Sequence, residues 1–240
     1  MTAILCILLG LFFLFSTTGL ADNQIQSGDE AIIDTSTVHT GFLKQQDDIS
    51  AVTQVVLRER QARDRGWWGQ MMLSYWPDSH VALSWYNGDG PGFVRGSKVL
   101  YDRGSRPVHR MFAPIVDIKD NRAHVEIHTM VWADTKVNGK LARMNAFMRL
   151  NYKLSKRENE WRILSFKVIY EYTEIRPSIP GEIVSIPAEE LKKHRRSYDV
   201  LSWDLTQKGI NVSQDQLGED QPETVKVFYR GIKAWLRDGS

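Results

Sequence analysis

Six histidines are the side chains of this sequence best suited to moving protons near neutral pH, because imidazole alone titrates there without a shift. His109, His124 and His128 lie within 20 residues of one another, on two consecutive segments that read as strands. His124 and His128 are four apart, so both leave the same strand face, together with Glu126 and Trp132. The opposite face carries Ala123, Val125, Ile127, Thr129 and Val131. Alternation leaves two arrangements open: the histidines face water or a partner, or they line a cleft beneath helices. A zinc site of two His and one Glu is disfavoured, since ligands at i, i+2 and i+4 of one strand point in parallel and do not converge; no metal is expected. His80 opens a strand near Asp78, while His39 and His194 fall in polar and basic stretches suited to solvent.

Asp64 ends the first helical pattern, where the helix dipole disfavours a carboxylate. Either it is solvated within the charged stretch 58–65, or another group holds it there. Trp67, Trp68, Tyr75, Trp76, Trp85 and Tyr86 crowd the residues that follow, and the chain holds eight Trp. Such rings build a core or wall a pocket for a flat hydrophobic ligand. Phosphate-loop, G-x-S-x-G and H-E-x-x-H motifs are missing, and Gly88–Gly92 lacks dinucleotide-loop spacing. The sole cysteine, Cys6, excludes an intramolecular disulfide and a cysteine-based metal cluster.

Elements must position these groups. The chain has 240 residues, 42% hydrophobic and 25% charged, with 31 basic against 29 acidic side chains and a formal charge of +2. These are globular values; they exclude a disordered chain and argue against nucleic acid as a partner. Ile49, Val52, Val55, Val56 and Ala62 recur at helical spacing and Gly66 closes that helix. A short helix is predicted at 67–75, a strand at 80–86, a loop at 87–92 and a third helix at 93–103. Apolar, β-branched and aromatic runs then span 109–118, 122–133, 141–154 and 160–172, with Asn138-Gly139 marking a hairpin. Strands this long twist and curl. The expected architecture is α+β: a cone-shaped, strongly curved antiparallel sheet covered by N-terminal helices, with a pocket between the layers and a C-terminal helical extension.

Residues 3–15 are apolar and suit a signal-peptide core, with cleavage after Ala21 and hence export, secreted or periplasmic; an uncleaved membrane anchor is the alternative. Residues 22–47 read as a linker, 48–180 as the α+β domain and 181–240 as the extension, with helices at 188–205 and 223–236. The basic run Lys192–Arg196 reads as a solvated helix face, too short and free of aromatics to bind nucleic acid.

The segments ARDRGWW (62–68), SWYNGDG (84–90), HRMFAPIVDIKDNRAHVEIH (109–128) and ENEWRILSFKVIYEYTEIRP (158–177) resemble the SnoaL-like branch of the nuclear transport factor two-like superfamily, over roughly residues 48–180. The resemblance implies a cone with a deep apolar cavity, no cofactor, and a homodimer formed through the sheet. Scytalone dehydratase offers the nearest catalytic analogy, with an Asp at the end of the first helix and two His on neighbouring strands. Asp64, His109 and His128 fall at the matching places, and Arg63 stands where the dehydratase has a Tyr. The resemblance thus implies a cofactor-independent dehydratase or isomerase using general acid–base catalysis on a small hydrophobic cyclic carbonyl compound, with Trp68, Trp76, Trp85, Tyr86, Trp132 and Asn145 around the substrate. The alternatives are a non-catalytic exported ligand-binding or dimerisation module, and a structural partner that uses its tail helices.

Overall fold

The computed structural model describes residues 46–238; the apolar stretch at 3–15, the cleavage point after Ala21 and most of the linker lie outside them. Helix α1 (Gln46–Arg65) carries Asp47 and Asp48 in its first turn and Arg63 and Arg65 in its last, which complements its dipole. Gly66 ends it at φ +71°, and the Trp67 amide reaches back to the Ala62 carbonyl at 2.9 Å, the glycine-dependent helix stop. Helix α2 (Trp68–Leu73), strands β1 (Tyr75–Leu83) and β2 (Tyr86–Asp89) and helix α3 (Gly90–Asp102) follow. The expected loop at 87–92 is instead half strand and half helix. Asp89 caps α3 by accepting from the Gly92 amide, and Pro91 fits its first turn. Gly90 is required by close packing: a Cβ there would stand 2.2 Å from Ser79 Oγ and 2.7 Å from the Tyr75 ring.

Four long strands form the meander, β3 (Val108–Lys119), β4 (Arg122–Val137), β5 (Lys140–Arg157) and β6 (Glu160–Pro177). Asn138 and Gly139 both take positive φ in the β4–β5 turn, and Glu158 and Asn159 do the same in the β5–β6 turn, matching the twist of the strands they join. The strand order is β2-β1-β6-β5-β4-β3, with the dipeptide β7 (Leu217–Gly218) also on β6. The sheet is curved and open, and mixed where an antiparallel one was expected: β1 and β7 both run parallel to β6, β1 along 163–167 and β7 along 169–170. Register shifts at Met111/Pro114, Phe147/Met148 and Lys153/Leu154 bend the strands.

The concave face packs Val125, Ile127, Leu150, Tyr152, Leu154 and Phe166 against Val52 and Val56 of α1 and Phe93 of α3. The expected single helix at 188–205 is broken into α4 (Ala188–Leu191), a 3-10 turn (Arg196–Tyr198) and α5 (Asp199–Gln207). The break leaves Arg195 extended, with its guanidinium on Asp220 and on the Gln214 and Gln216 carbonyls. Helix α6 (Pro222–Asp238) lies against the outer face of the sheet. There Tyr229 donates to Glu126, Arg122 to the Leu236 carbonyl, and Lys153 covers the Trp235 ring at 4.8 Å.

Candidate active site

Asp64 on the last turn of α1 faces His109 at the start of β3. Its Oδ1 lies 2.6 Å from His109 Nδ1, and its Oδ2 accepts from the His109 backbone amide at 2.8 Å. The dipole penalty read from the sequence is therefore met by a partner contributed by the sheet. Both side chains are largely buried, 9% exposed for His109 and 14% for Asp64. Burial pushes the Asp64 carboxyl up, but the hydrogen bonds from His109 outweigh it and hold it below the ordinary carboxylate value. Burial pulls the His109 imidazole below its ordinary value; the bond to Asp64 opposes this, and the charge of Arg60 adds to it. The imidazole is thus neutral at pH 7. Since Asp64 is acceptor-only, Nδ1 carries the proton and Nε2 the lone pair.

A second layer sets the direction of that lone pair. Arg60, one turn before Asp64, places Nη1 3.4 Å from His109 Nε2. Its guanidinium is gripped by the buried carboxylate of Glu59, which also accepts from the Tyr75 hydroxyl at 2.9 Å. Burial pulls Arg60 down, but Glu59 more than compensates and keeps it above its ordinary value. The guanidinium carbon lies over the Phe166 ring at 5.0 Å and the Phe93 ring at 5.6 Å, within cation–π range of both.

His109 stands on the wall of a cavity of about 110 Å³ between the helices and the concave sheet. Leu83, Trp85, Phe93, Met144, Met148, Leu150, Phe166 and Val168 make it apolar. The polar side chains that reach it are Arg60, Arg63, Ser84, Ser105, His109, Tyr170, Asp204 and Lys208. The Tyr170 hydroxyl, pushed up to about 12 by burial, is already bonded to Ser84. Asp204 accepts from Thr135 and from Lys208 Nζ, the latter at 2.6 Å. On the outer side of the dyad, a groove of about 380 Å³ lined by Gln61, Asp64, Arg65, His109 and Met111 opens between α1 and β3.

Of the three residues implied as a triad, two come together and His128 does not. His109 pairs directly with Val131, and opposed residues share a face. His128 is three residues from Val131, so it must leave the other face. There it is 47% exposed, with Nε2 3.5 Å from Glu171. The same parity removes Trp132 and Asn145, a directly opposed pair, from the cavity; Arg143 covers Trp132 at 4.5 Å and Asn145 donates to Glu174. Trp76 lies between Arg157 and Arg162 and donates to the Ser155 carbonyl. Trp68 packs edge-on against Tyr101 at 5.4 Å, behind Arg63, and Tyr86 donates to the Asp89 carbonyl. Trp85 alone of the six expected pocket residues lines the cavity. His124 and Glu126 also face outward, bonded to Asn151 and to Arg149 and Tyr229. Among the described residues, no three His, Cys, Asp or Glu side chains gather as a metal would require.

The sequence reading missed Glu59, Arg60 and Arg63, and the contribution of α5 through Leu201, Asp204, Leu205 and Lys208. A signal for the first three was present: positions 52, 56, 59, 60 and 63 form one helical stripe, so its charged members were directed inward with Val52 and Val56.

A helix-lined cavity on a curved sheet, with an imidazole in its wall that a carboxylate holds from the outer side, defines the class of fold and site. The family model for the SnoaL-like domain matches residues 44–167, more than half of the chain, and the chain belongs to that family. None of the curated proteins matches it in sequence. Similar solved structures include a hexachlorocyclohexane dehydrochlorinase from Novosphingobium barchaimii (12% identity, 60% of this chain and 98% of that one, TM-score 0.47). They include a candidate dehydratase of the nuclear transport factor two-like family from Streptomyces avermitilis (12%, 51% and 95%, 0.44). A protein from Kribbella flavida is also similar (13%, 54% and 94%, 0.48).

Proposed function

We propose that this protein is a cofactor-independent dehydratase or isomerase acting on a small, single-ring carbonyl compound. The observation that carries the reading is the neutral His109, oriented by Asp64, with its Nε2 lone pair in the wall of an apolar cavity and only a long 3.4 Å contact from Arg60 Nη1 for a substrate proton to displace. At about 110 Å³ the space is comparable to the ~150 Å³ engineered cavities that accept benzene, so one ring fits and two do not. His109 Nε2 takes the proton α to the carbonyl, and Asp64 stabilises the imidazolium that forms. The electron pair of the broken C–H bond passes through the enolate to expel the β-hydroxyl, to which the imidazolium returns the proton. Water and a conjugated enone leave, and the base is regenerated. Without a β-leaving group, the same proton returned at another carbon is an isomerisation. The groove beside Asp64 gives the dyad contact with bulk solvent for proton exchange.

The reading includes export after removal of the first 21 residues, and a homodimer. The surface that a second copy would cover is the edge strand β3, where Phe112 and Ile115 are exposed.

The direct test is proton exchange. In D2O, cyclohexanone is expected to exchange its α-protons faster with the protein than without it, and His109→Gln to lose about 10²–10⁴-fold of that rate. A β-hydroxycyclohexanone should gain enone absorbance in parallel. Equal exchange with wild type, His109→Gln and buffer would overturn the acid–base reading and leave a ligand-binding module.

A further inference from the structure

Arg63 is a cation without a counterion. It lies one turn from Arg60 on the inward stripe of α1 and lines the cavity, and its side chain is 3% exposed. The other two cations of the cavity are neutralised at contact distance: Arg60 by Glu59, and Lys208 by Asp204. Arg63 has no carboxylate within 4.0 Å and no hydrogen bond among the described residues, and its buried Nη1 has no partner at all. The adjacent Asp64 has turned both oxygens to His109. The Trp68 ring lies 5.9 Å from the guanidinium carbon, and the carboxylates of Asp64 and Glu59 act on it only from beyond contact distance. Burial pulls Arg63 down to about 10, which leaves it charged at neutral pH. A charge buried unpaired is among the most destabilising arrangements in a fold unless something else completes it.

From this geometry we infer that the cavity is built for an anion, and that Arg63 pairs with a carboxylate carried by the ring of the ligand. A planar guanidinium with free N–H groups matches a carboxylate, and against apolar cavity walls the pair is strong. The carboxylate end of the ligand lies at Arg63 and its ring against Phe166, Met148 and Leu150, on the same cavity wall system that presents His109. The inference names the substrate class of the site proposed above and rests on that reading for the chemistry, though not for the binding.

Benzoate and its neutral isostere benzamide, titrated calorimetrically into the full chain, test it. Wild type is expected to bind benzoate about tenfold or more tightly than benzamide. Arg63→Gln and Arg63→Met should erase the preference while melting cooperatively, since both remove a buried charge, and Arg63→Lys should retain part of it. The preference should hold from about pH 6 to 9, where benzoate is ionised and Arg63 keeps its charge. Equal affinity for the two probes, binding of neither at millimolar concentration, or a preference that survives Arg63→Gln would overturn the inference. Cyclohexanone exchange that persists while the benzoate preference is absent refutes the anion site alone; the reverse result refutes the acid–base reading alone.

Discussion

Replacing Asp64 by Asn probes the dyad most sharply, because it keeps the shape and changes only what the two carboxylate oxygens can do. Both oxygens accept from His109, one from the ring Nδ1–H and one from the backbone N–H. An amide has one accepting oxygen and one donating nitrogen, and the backbone donor cannot reverse. The Asn oxygen must therefore stay on the backbone amide, which turns its NH2 toward Nδ1. Nδ1 can answer only as an acceptor, so the proton moves to Nε2 and the lone pair facing the cavity is lost. The expected loss of turnover is on the order of 10²–10⁴-fold, toward the upper end because the tautomer is reversed. Losing a hydrogen bond to a charged group costs about 1.5–3 kcal/mol. For a domain of this size, that lowers Tm by about 3–12 °C. Long-range 1H–15N correlation spectra read the tautomer without any substrate: Nδ1–H in wild type, Nε2–H in Asp64→Asn. A variant with Nδ1 still protonated, or with cyclohexanone exchange equal to wild type, would refute the reasoning.

The pH dependence follows from the depressed pKa of His109. Activity as kcat/KM should be flat near neutrality and fall on the acid side, with an apparent pKa below the ordinary histidine value of about 6.5. In that same window the unfolded chain binds a proton that the native chain excludes, so stability declines as pH drops below about 6.5, as chemical denaturation at several pH values would record. Tyr229→Phe removes the hydroxyl that α6 donates to Glu126 and should cost about 1.5–3 kcal/mol in urea unfolding, with cyclohexanone exchange unchanged. Leu201→Trp in α5 should fill the cavity and abolish exchange while the chain still melts cooperatively. Intact-mass measurement of the protein from an exporting host should find the chain starting at Asp22, and light scattering should give the mass of two chains.

The sheet was legible because its strands alternate and because Asn138-Gly139 dictates a tight turn. The helices were legible through their apolar spacing and the stop at Gly66. The placement of His128 was not, because it depends on which residue of β4 faces His109, a register set by the Asp120 turn and the Met111/Pro114 shift. Once His109 is opposite Val131, the exclusion of His128, Trp132 and Asn145 follows from parity alone. The parallel pairing of β1 with β6 was equally hidden, since nothing local records contact between strands some 85 residues apart. Glu59, Arg60 and Arg63 were obscured by composition: eight residues dense in charge resemble a solvated surface, and only their phase with Val52 and Val56 betrays an inward course. Alternation along β4 gives no sign of what covers its polar face, because Tyr229 of α6 reaches Glu126 across 103 residues of sequence.

Because α5 closes one side of the hollow, the segment matched by the family model and the segment that follows it both build the site. Asp64 and His109 come from the former, while the shape of the hollow is set partly by Leu201, Asp204, Leu205 and Lys208, which lie beyond the matched segment. Exchanging the stretch around Leu201–Lys208 between relatives of this protein is therefore a route to a differently shaped hollow that leaves Asp64 and His109 untouched. Conversely, a chain cut after Pro177 would keep all of β6 and the Asp64–His109 contact but leave the hollow an open bowl, wetted by bulk water.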